Sequence, residues 1–167
     1  MTEPVWLTTA RANIGVREIP GARHNPTILG WIRALGRRLG VRVTDDETPW
    51  CGTFAAWCMM QAGIEPPPIA VRASEWGKWG RELLGPRPGC VLVFVRKGGG
   101  HVGFYVGEDR THYHVLGGNQ SNAVSIMRLE KSRLADGGMR WPHGAPLPPQ
   151  KRTWLRADGS PASENEA

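Results

Sequence analysis

Apolar residues recur at helical spacing in the first part of the chain and at alternate positions in the later part. This change of period divides the sequence. Trp6, Leu7, Ala10 and Ile14 share one face of a helix expected over Val5 to about Gly15, closed by the turn Glu18-Ile19-Pro20-Gly21. Asn25-Pro26 reads as a cap followed by proline at the first helical position, where a missing N–H is harmless. That second helix should run through Leu39, with Ile28, Trp31, Ile32 and Leu35 as its buried stripe. Gly40 to Glu47 is a loop that ends in Asp45-Asp46-Glu47. Thr48 can cap a third helix and Pro49 can open it, with the helix running to Ala62 and stopping at Gly63. Pro66-Pro67-Pro68 is a stiff connector, and a short helix is expected around Ala73 to Trp79.

Beyond the turn Pro86-Arg87-Pro88-Gly89 the pattern becomes that of strands. Cys90 to Val95, His101 to Val106, His112 to Leu116 and Ala123 to Arg128 are the predicted strands, with turns at Gly98-Gly99-Gly100 and Glu108-Asp109-Arg110. A helical N-terminal half followed by a run of strands predicts an α+β fold, with the helices packed on an antiparallel sheet. After Trp141-Pro142 the chain turns proline-rich and then polar. Residues 144–167 are therefore expected to form a flexible tail, with Trp154 as a docking point, and residues 1–143 the single folded domain. A length of 167 residues suits one domain with a real core.

The formal net charge of +6 points to an anionic partner. The basic residues are mostly scattered arginines, and the pairs Arg37-Arg38 and Lys151-Arg152 do not make a nucleic-acid tract, so nucleic acid is not an expected partner. No apolar segment approaches the length of a membrane span, which speaks against stable membrane insertion. Met1-Thr2-Glu3-Pro4 does not open like a signal peptide. The chain is therefore expected to be made in the cytoplasm as a monomer, with some other agent carrying it to any target outside. Three cysteines cannot all pair. Cys51 and Cys58 would lie roughly 10 Å apart on one helix, beyond the roughly 7 Å that a disulfide spans. Free thiols are expected.

The stretch Thr48-Pro49-Trp50-Cys51-Gly52-Thr53-Phe54 places Cys51 at a helix start, where backbone N–H groups favour a thiolate and can hold an oxyanion. Gly100-His101-Val102-Gly103 places His101 at a strand start, and Gly117-Gly118-Asn119-Gln120 follows a further apolar run. A thiol, a histidine to take its proton and a polar group to orient that histidine are the parts of a thiol hydrolase. Cys51 reads either as such a nucleophile or as a small buried apolar residue. Cys58 and Cys90 read as packing. Asn119 could fix the His101 tautomer or belong to an ordinary turn, and Gln120 could contact substrate or orient the ring instead. His112 and His114 would share a strand face, but no third ligand stands at metal-site spacing, so no metal or other cofactor is expected. Asp45-Asp46-Glu47 lacks the alternation of a calcium loop and should cap the helix, complement its dipole or hold the preceding loop. Most of the eight tryptophans should pack in the core. Trp50, beside the cysteine, and Trp76, beside an expected groove, are the candidates for substrate contact.

Pro49-Trp50-Cys51-Gly52-Thr53-Phe54, Gly100-His101-Val102-Gly103 and Gly117-Gly118-Asn119-Gln120, in that order, resemble the CHAP and NlpC/P60 superfamily of peptidoglycan hydrolases. The likeness is strongest to its small phage-associated branch, covers about residues 5 to 142, and includes Gly15-Val16-Arg17-Glu18-Ile19-Pro20-Gly21 before Asn25-Pro26. It implies a papain-like α+β fold, with Cys51 as nucleophile and oxyanion donor, His101 as base and then acid, and Asn119 orienting His101. Many CHAP domains carry a glutamate two residues before that asparagine; Gly117 stands there in this chain. The implied function is a cysteine peptidase or amidase acting on bacterial peptidoglycan, as a phage endolysin reaching the wall or periplasm through a holin or as an effector delivered by a secretion machine. The alternatives are a non-catalytic wall-binding or phage structural module, and a deamidase or cysteine protease acting on protein.

Overall fold

The protein is described by a computed structural model over residues 3–164. Met1 and Thr2, at the start of the segment read against a signal peptide, and residues 165–167 of the expected tail lie outside the described residues. Three α-helices, α1 (Val5–Ala12), α2 (Pro26–Leu35) and α3 (Cys51–Gln61), precede the sheet. Its strands are β1 (Arg81–Glu82), β2 (Val91–Arg96), β3 (Gly99–Glu108), β4 (His112–Gln120), β5 (Ala123–Glu130) and β6 (Leu134–Trp141). They form one six-stranded sheet in the order β1-β6-β2-β3-β4-β5. Every adjacent pair is antiparallel. The change of hydrophobic period thus marks an α+β architecture, with α3 packed on β3 and β4.

The helix stripes explain the core. Trp6, Leu7 and Ala10 of α1 and Ile28, Trp31, Ile32 and Leu35 of α2 are buried. The Trp31 ring lies 5.0 Å from Phe54 and 5.4 Å from Trp57, both on α3, so one indole joins the two helices. Gly118 on β4 lets α3 lie close to the sheet: a Cβ there would meet Phe54 Cβ at 2.7 Å and the Trp50 ring at 2.9 Å.

Several element boundaries differ from expectation. The first helix ends at Ala12, and Ile14 falls beyond it, 47% exposed. Asn25 caps α2 as expected, accepting the Thr27 N–H at 2.8 Å, but the α-helix stops at Leu35 and a 3₁₀ turn, Gly36–Leu39, completes it. The third helix has Trp50, not Thr48, at its cap position, without a capping side chain. The Thr48 hydroxyl donates instead to Asp45 Oδ1 at 3.0 Å. The short helix at Ala73–Lys78 is 3₁₀. Two strands were not expected, β1 and β6. The β6 segment Leu134-Ala135-Asp136-Gly137-Gly138 lacks apolar alternation and is made a strand by pairing with β2.

The described part of the expected tail lies against the body. Lys151 N–H donates to Pro86 C=O at 2.9 Å, and Thr153 and Leu155 exchange backbone hydrogen bonds with Glu108 at 2.8 and 2.9 Å. Lys131 lies 5.5 Å from the centre of the Trp154 ring. Glu108, buried beneath, accepts from Lys131 Nζ and from the Tyr105 hydroxyl, which is what makes its burial tolerable.

Of the three roles expected for Asp45-Asp46-Glu47, the contacts are those of holding the preceding loop. Asp46 is fully buried and accepts from the Ile19 and Asn25 N–H groups at 2.8 Å each, and pairs with His24 Nδ1 at 2.9 Å. Burial pushes its carboxyl up, and these donors together bring it below the ordinary carboxylate value. Glu47 accepts the Gly21 N–H, and Asp45 closes its own turn on Thr48.

Removing the Asp46 carboxylate leaves two backbone donors buried without partners. Asp46→Ala is expected to lower the unfolding free energy by about 3 kcal/mol, read as a lower urea midpoint. Because the folded carboxyl titrates below its unfolded value, its contribution is complete above about pH 4 and is lost as pH falls through the folded value. The stability gap between the two chains should therefore close in acid, and a gap independent of pH would contradict this role.

Candidate active site

Cys51 opens α3, whose first turn has no side-chain cap, so its N–H groups stay available to an anion. The Cys51 sulfur is approached by the backbone N–H groups of Val102, Gly52 and Cys51 itself. Val102 directly follows His101 on β3, so helix start and strand place the two expected reactive residues together. Cys51 and His101 are each 4% exposed. Among the described residues no hydrogen bond joins their side chains, and His101 Nδ1 is buried without a partner.

The other ring nitrogen is fully engaged. His101 Nε2 lies 2.9 Å from Gln120 Oε1. The Gln120 amide nitrogen donates to the Val115 carbonyl at 3.0 Å and to the Ser125 carbonyl at 2.7 Å. Two carbonyls on one side of the amide fix its orientation, since reversing it would set oxygen against oxygen twice. Gln120 Oε1 must then accept, His101 Nε2 must carry the proton, and Nδ1 of the neutral ring keeps its lone pair. Room for this amide comes from Gly117: a Cβ there would meet Gln120 Oε1 at 2.7 Å.

Gln120, not Asn119, therefore orients His101, which corrects the expectation. Asn119 takes a left-handed conformation, φ 57°, and the β4–β5 register shifts between Gly117 and Gln120. The irregularity breaks strand alternation and turns Gln120, rather than Asn119, toward the ring. With its amide engaged three times, Gln120 is not a free substrate contact. Trp50 and Trp76, expected at the substrate, are also corrected. Trp50 is buried, with its Nε1–H on Glu18 Oε2 at 3.0 Å. Trp76 is buried with its Nε1–H on the Ala70 carbonyl at 2.9 Å, so neither ring offers a face to a ligand.

All three cysteines are free and buried. Burial pushes the Cys90 thiol up to about 12 and the Cys58 thiol well above the ordinary range, consistent with packing roles. Burial also raises Cys51, against the pull of the Val102 and Gly52 N–H groups and of Arg96. It lowers His101, partly opposed by the Gln120 hydrogen bond. In both groups burial is the largest cause, and both shifts favour the neutral form, thiol and imidazole. His112 and His114, the other notable histidines, lie apart from this site on Asp109 and Thr111. Arg96 and Glu18, which reach the site from β2 and from the loop after α1, carry no spacing signal in the sequence.

A cysteine at a helix start, a histidine on the adjoining strand and a carboxamide on that histidine, set on an antiparallel sheet, define a papain-like α+β fold with a thiol–imidazole site. Residues 43–119 match the family model for the CHAP domain, a family of cysteine- and histidine-dependent amidohydrolases and peptidases. The matched segment contains both Cys51 and His101 and ends one residue before Gln120. CHAP domains are typically hydrolases, and peptidoglycan is the substrate that the family suggests. No curated protein matches the chain.

Two measurements test the geometry. In an NMR titration, Gln120→Ala is expected to move the His101 ring pKa further down, because the hydrogen bond that supports the imidazolium is gone, while Asn119→Ala leaves it in place. Equal shifts would return the orienting role to Asn119. Alkylation of Cys51 by iodoacetamide should keep accelerating as pH rises through the ordinary thiol range near about 8.5. A rate plateau already reached at neutral pH would reveal a preformed thiolate.

Proposed function

We propose that this protein is a cysteine-dependent peptidoglycan hydrolase that cuts an amide bond in a stem peptide or cross-bridge. The observation that carries the reading is the buried, unpartnered His101 Nδ1, left as a base by the Gln120 contact and close to a thiol at a helix start. Nδ1 accepts the Cys51 proton as the sulfur attacks the amide carbonyl. The tetrahedral oxyanion is held by the Cys51 N–H at the uncapped start of α3. His101 then returns the proton to the departing amine, and the C–N bond breaks to leave a thioester. Water, deprotonated by the same nitrogen, releases the acyl product and restores the thiol.

The family match supports the wall as substrate, and the charge of +6 favours approach to an anionic polymer. The proposed site of action is the cell wall or periplasm, reached through a phage holin or a secretion machine, as an endolysin or a wall-degrading effector. Among the described residues no helix is long and apolar enough to cross a membrane.

Incubation of the whole chain with purified sacculi should release soluble muropeptides, and mass spectrometry separates a sugar-free stem from a cut cross-bridge. Cys51→Ala is expected to lower release at least about 10³-fold, the scale of removing a nucleophile. Undiminished lysis by that variant would exclude the thiol mechanism. Cleavage or deamidation of casein with intact sacculi would instead identify an enzyme of protein amides.

A further inference from the structure

We propose that the small pocket beside His101 binds a carboxylate of the substrate through Arg96 and Arg133. The proposal rests on the hydrolase reading and adds the chemistry that the site selects. The pocket, about 120 Å³, has the buried side chains of His101, Gln120 and Phe94 in its lining, with Arg96, Arg133 and Met127 among its more exposed members. No acidic residue lines it. Among the described residues the Arg96 side chain makes no hydrogen bond or ion pair. Arg133 has Glu130 at 3.8 Å, too far for a hydrogen bond. Two arginines that line a small cavity with no acidic residue in its lining suit a ligand carboxylate, which accepts their paired N–H donors.

His101 lines the pocket and Cys51 does not, so the pocket lies on the imidazole side of the thiol. The apolar lining from Phe94 and Met127 and the small volume fit a small residue bearing an acid.

Asn119, Ser121 and Asn122 all have positive φ, 57°, 54° and 60°. Ser121 and Asn122 are the two central residues of the β4–β5 hairpin, whose tight turn favours positive φ at both. Here the Asn122 carbonyl accepts the Glu18 N–H at 3.0 Å and the Ser121 carbonyl accepts from Arg17 at 3.3 Å. The charge of Arg96 also bears on the chemistry, because it disfavours the imidazolium at His101. A carboxylate on Arg96 offsets that field as the ring takes the thiol proton, so the contact should raise kcat as well as lower KM.

The test compares purified sacculi with sacculi whose carboxylates have been converted to amides. Amidation is expected to cost the unaltered chain about 10–100-fold in kcat/KM, shared between kcat and KM, as for loss of charge-assisted hydrogen bonds. The Arg96→Ala/Arg133→Ala chain should cut both preparations at the same reduced rate. An equal amidation penalty in both chains, or none in the unaltered one, overturns the proposal. If the unaltered chain releases nothing from either preparation, the hydrolase reading has failed and binding decides the pocket. Soluble stem peptides, free or amidated, are then added to the isotope-labelled chain. A shift of the His101 ring signals with the free acid alone, abolished in the double variant, supports the pocket; a shift with both peptides or with neither overturns it.

Discussion

A neutral imidazole has one proton to place on two nitrogens, and in this protein the sheet backbone decides where it goes. The Val115 and Ser125 carbonyls hold the Gln120 amide nitrogen, so its oxygen is turned to His101 Nε2. Reversing the amide would forfeit the two hydrogen bonds to these carbonyls, at about 1–3 kcal/mol for each group left unpaired. The tautomer of His101 is thus set by strands β4 and β5 through a single side chain. The lone pair on Nδ1 follows from that register, and so does the thiol chemistry open to the site.

The third member of the site is a neutral amide where many CHAP domains carry a carboxylate, and the space it fills is the one Gly117 leaves empty. The difference is electrostatic. A buried carboxylate beside the ring would stabilise an imidazolium strongly; an amide oxygen does so only through its dipole. With His101 lowered and Cys51 raised by burial, the amide is the partner that suits a neutral pair. In the proposed mechanism the proton moves during attack, and the helix start contributes mainly to the oxyanion that forms later.

The parts of this arrangement that depend on local spacing were legible in the sequence. Asn25-Pro26 opens α2, the apolar stripes of the first two helices pack as spaced apart from Ile14, and Cys51 and His101 begin or nearly begin their elements. The parts that depend on pairing were not. Asn119 and Gln120 are neighbours in sequence, and only the register shift against β5 determines which turns inward. The strand β6 carries two adjacent glycines and becomes a strand through its neighbour β2. Trp50 and Trp76 have the same composition signal whether they face a groove or the core, and their burial is decided by partners on other elements, Glu18 and Ala70. Arg96 lies just past the strand expected over Cys90 to Val95, whereas β2 runs through it.

The thiol and its base come from different halves of the fold, so their separation depends on whatever joins those halves near the site. The segment after α1 does this. Its Glu18 carboxylate accepts the Trp50 Nε1–H beside Cys51, while its backbone at Gly15, Val16 and Glu18 bonds to Val124 and Asn122 beyond Gln120. Asp46 then anchors the same segment at Ile19 and its continuation at Asn25. A bridge of this kind needs no disulfide, which leaves the three thiols free, and it relies on a buried carboxylate with every donor in place. Positioning a nucleophile and base to within a fraction of an ångström requires such a second layer of contacts. In the proposed mechanism the acidic triplet before the cysteine therefore acts through backbone placement, without any of its oxygens having to reach the substrate.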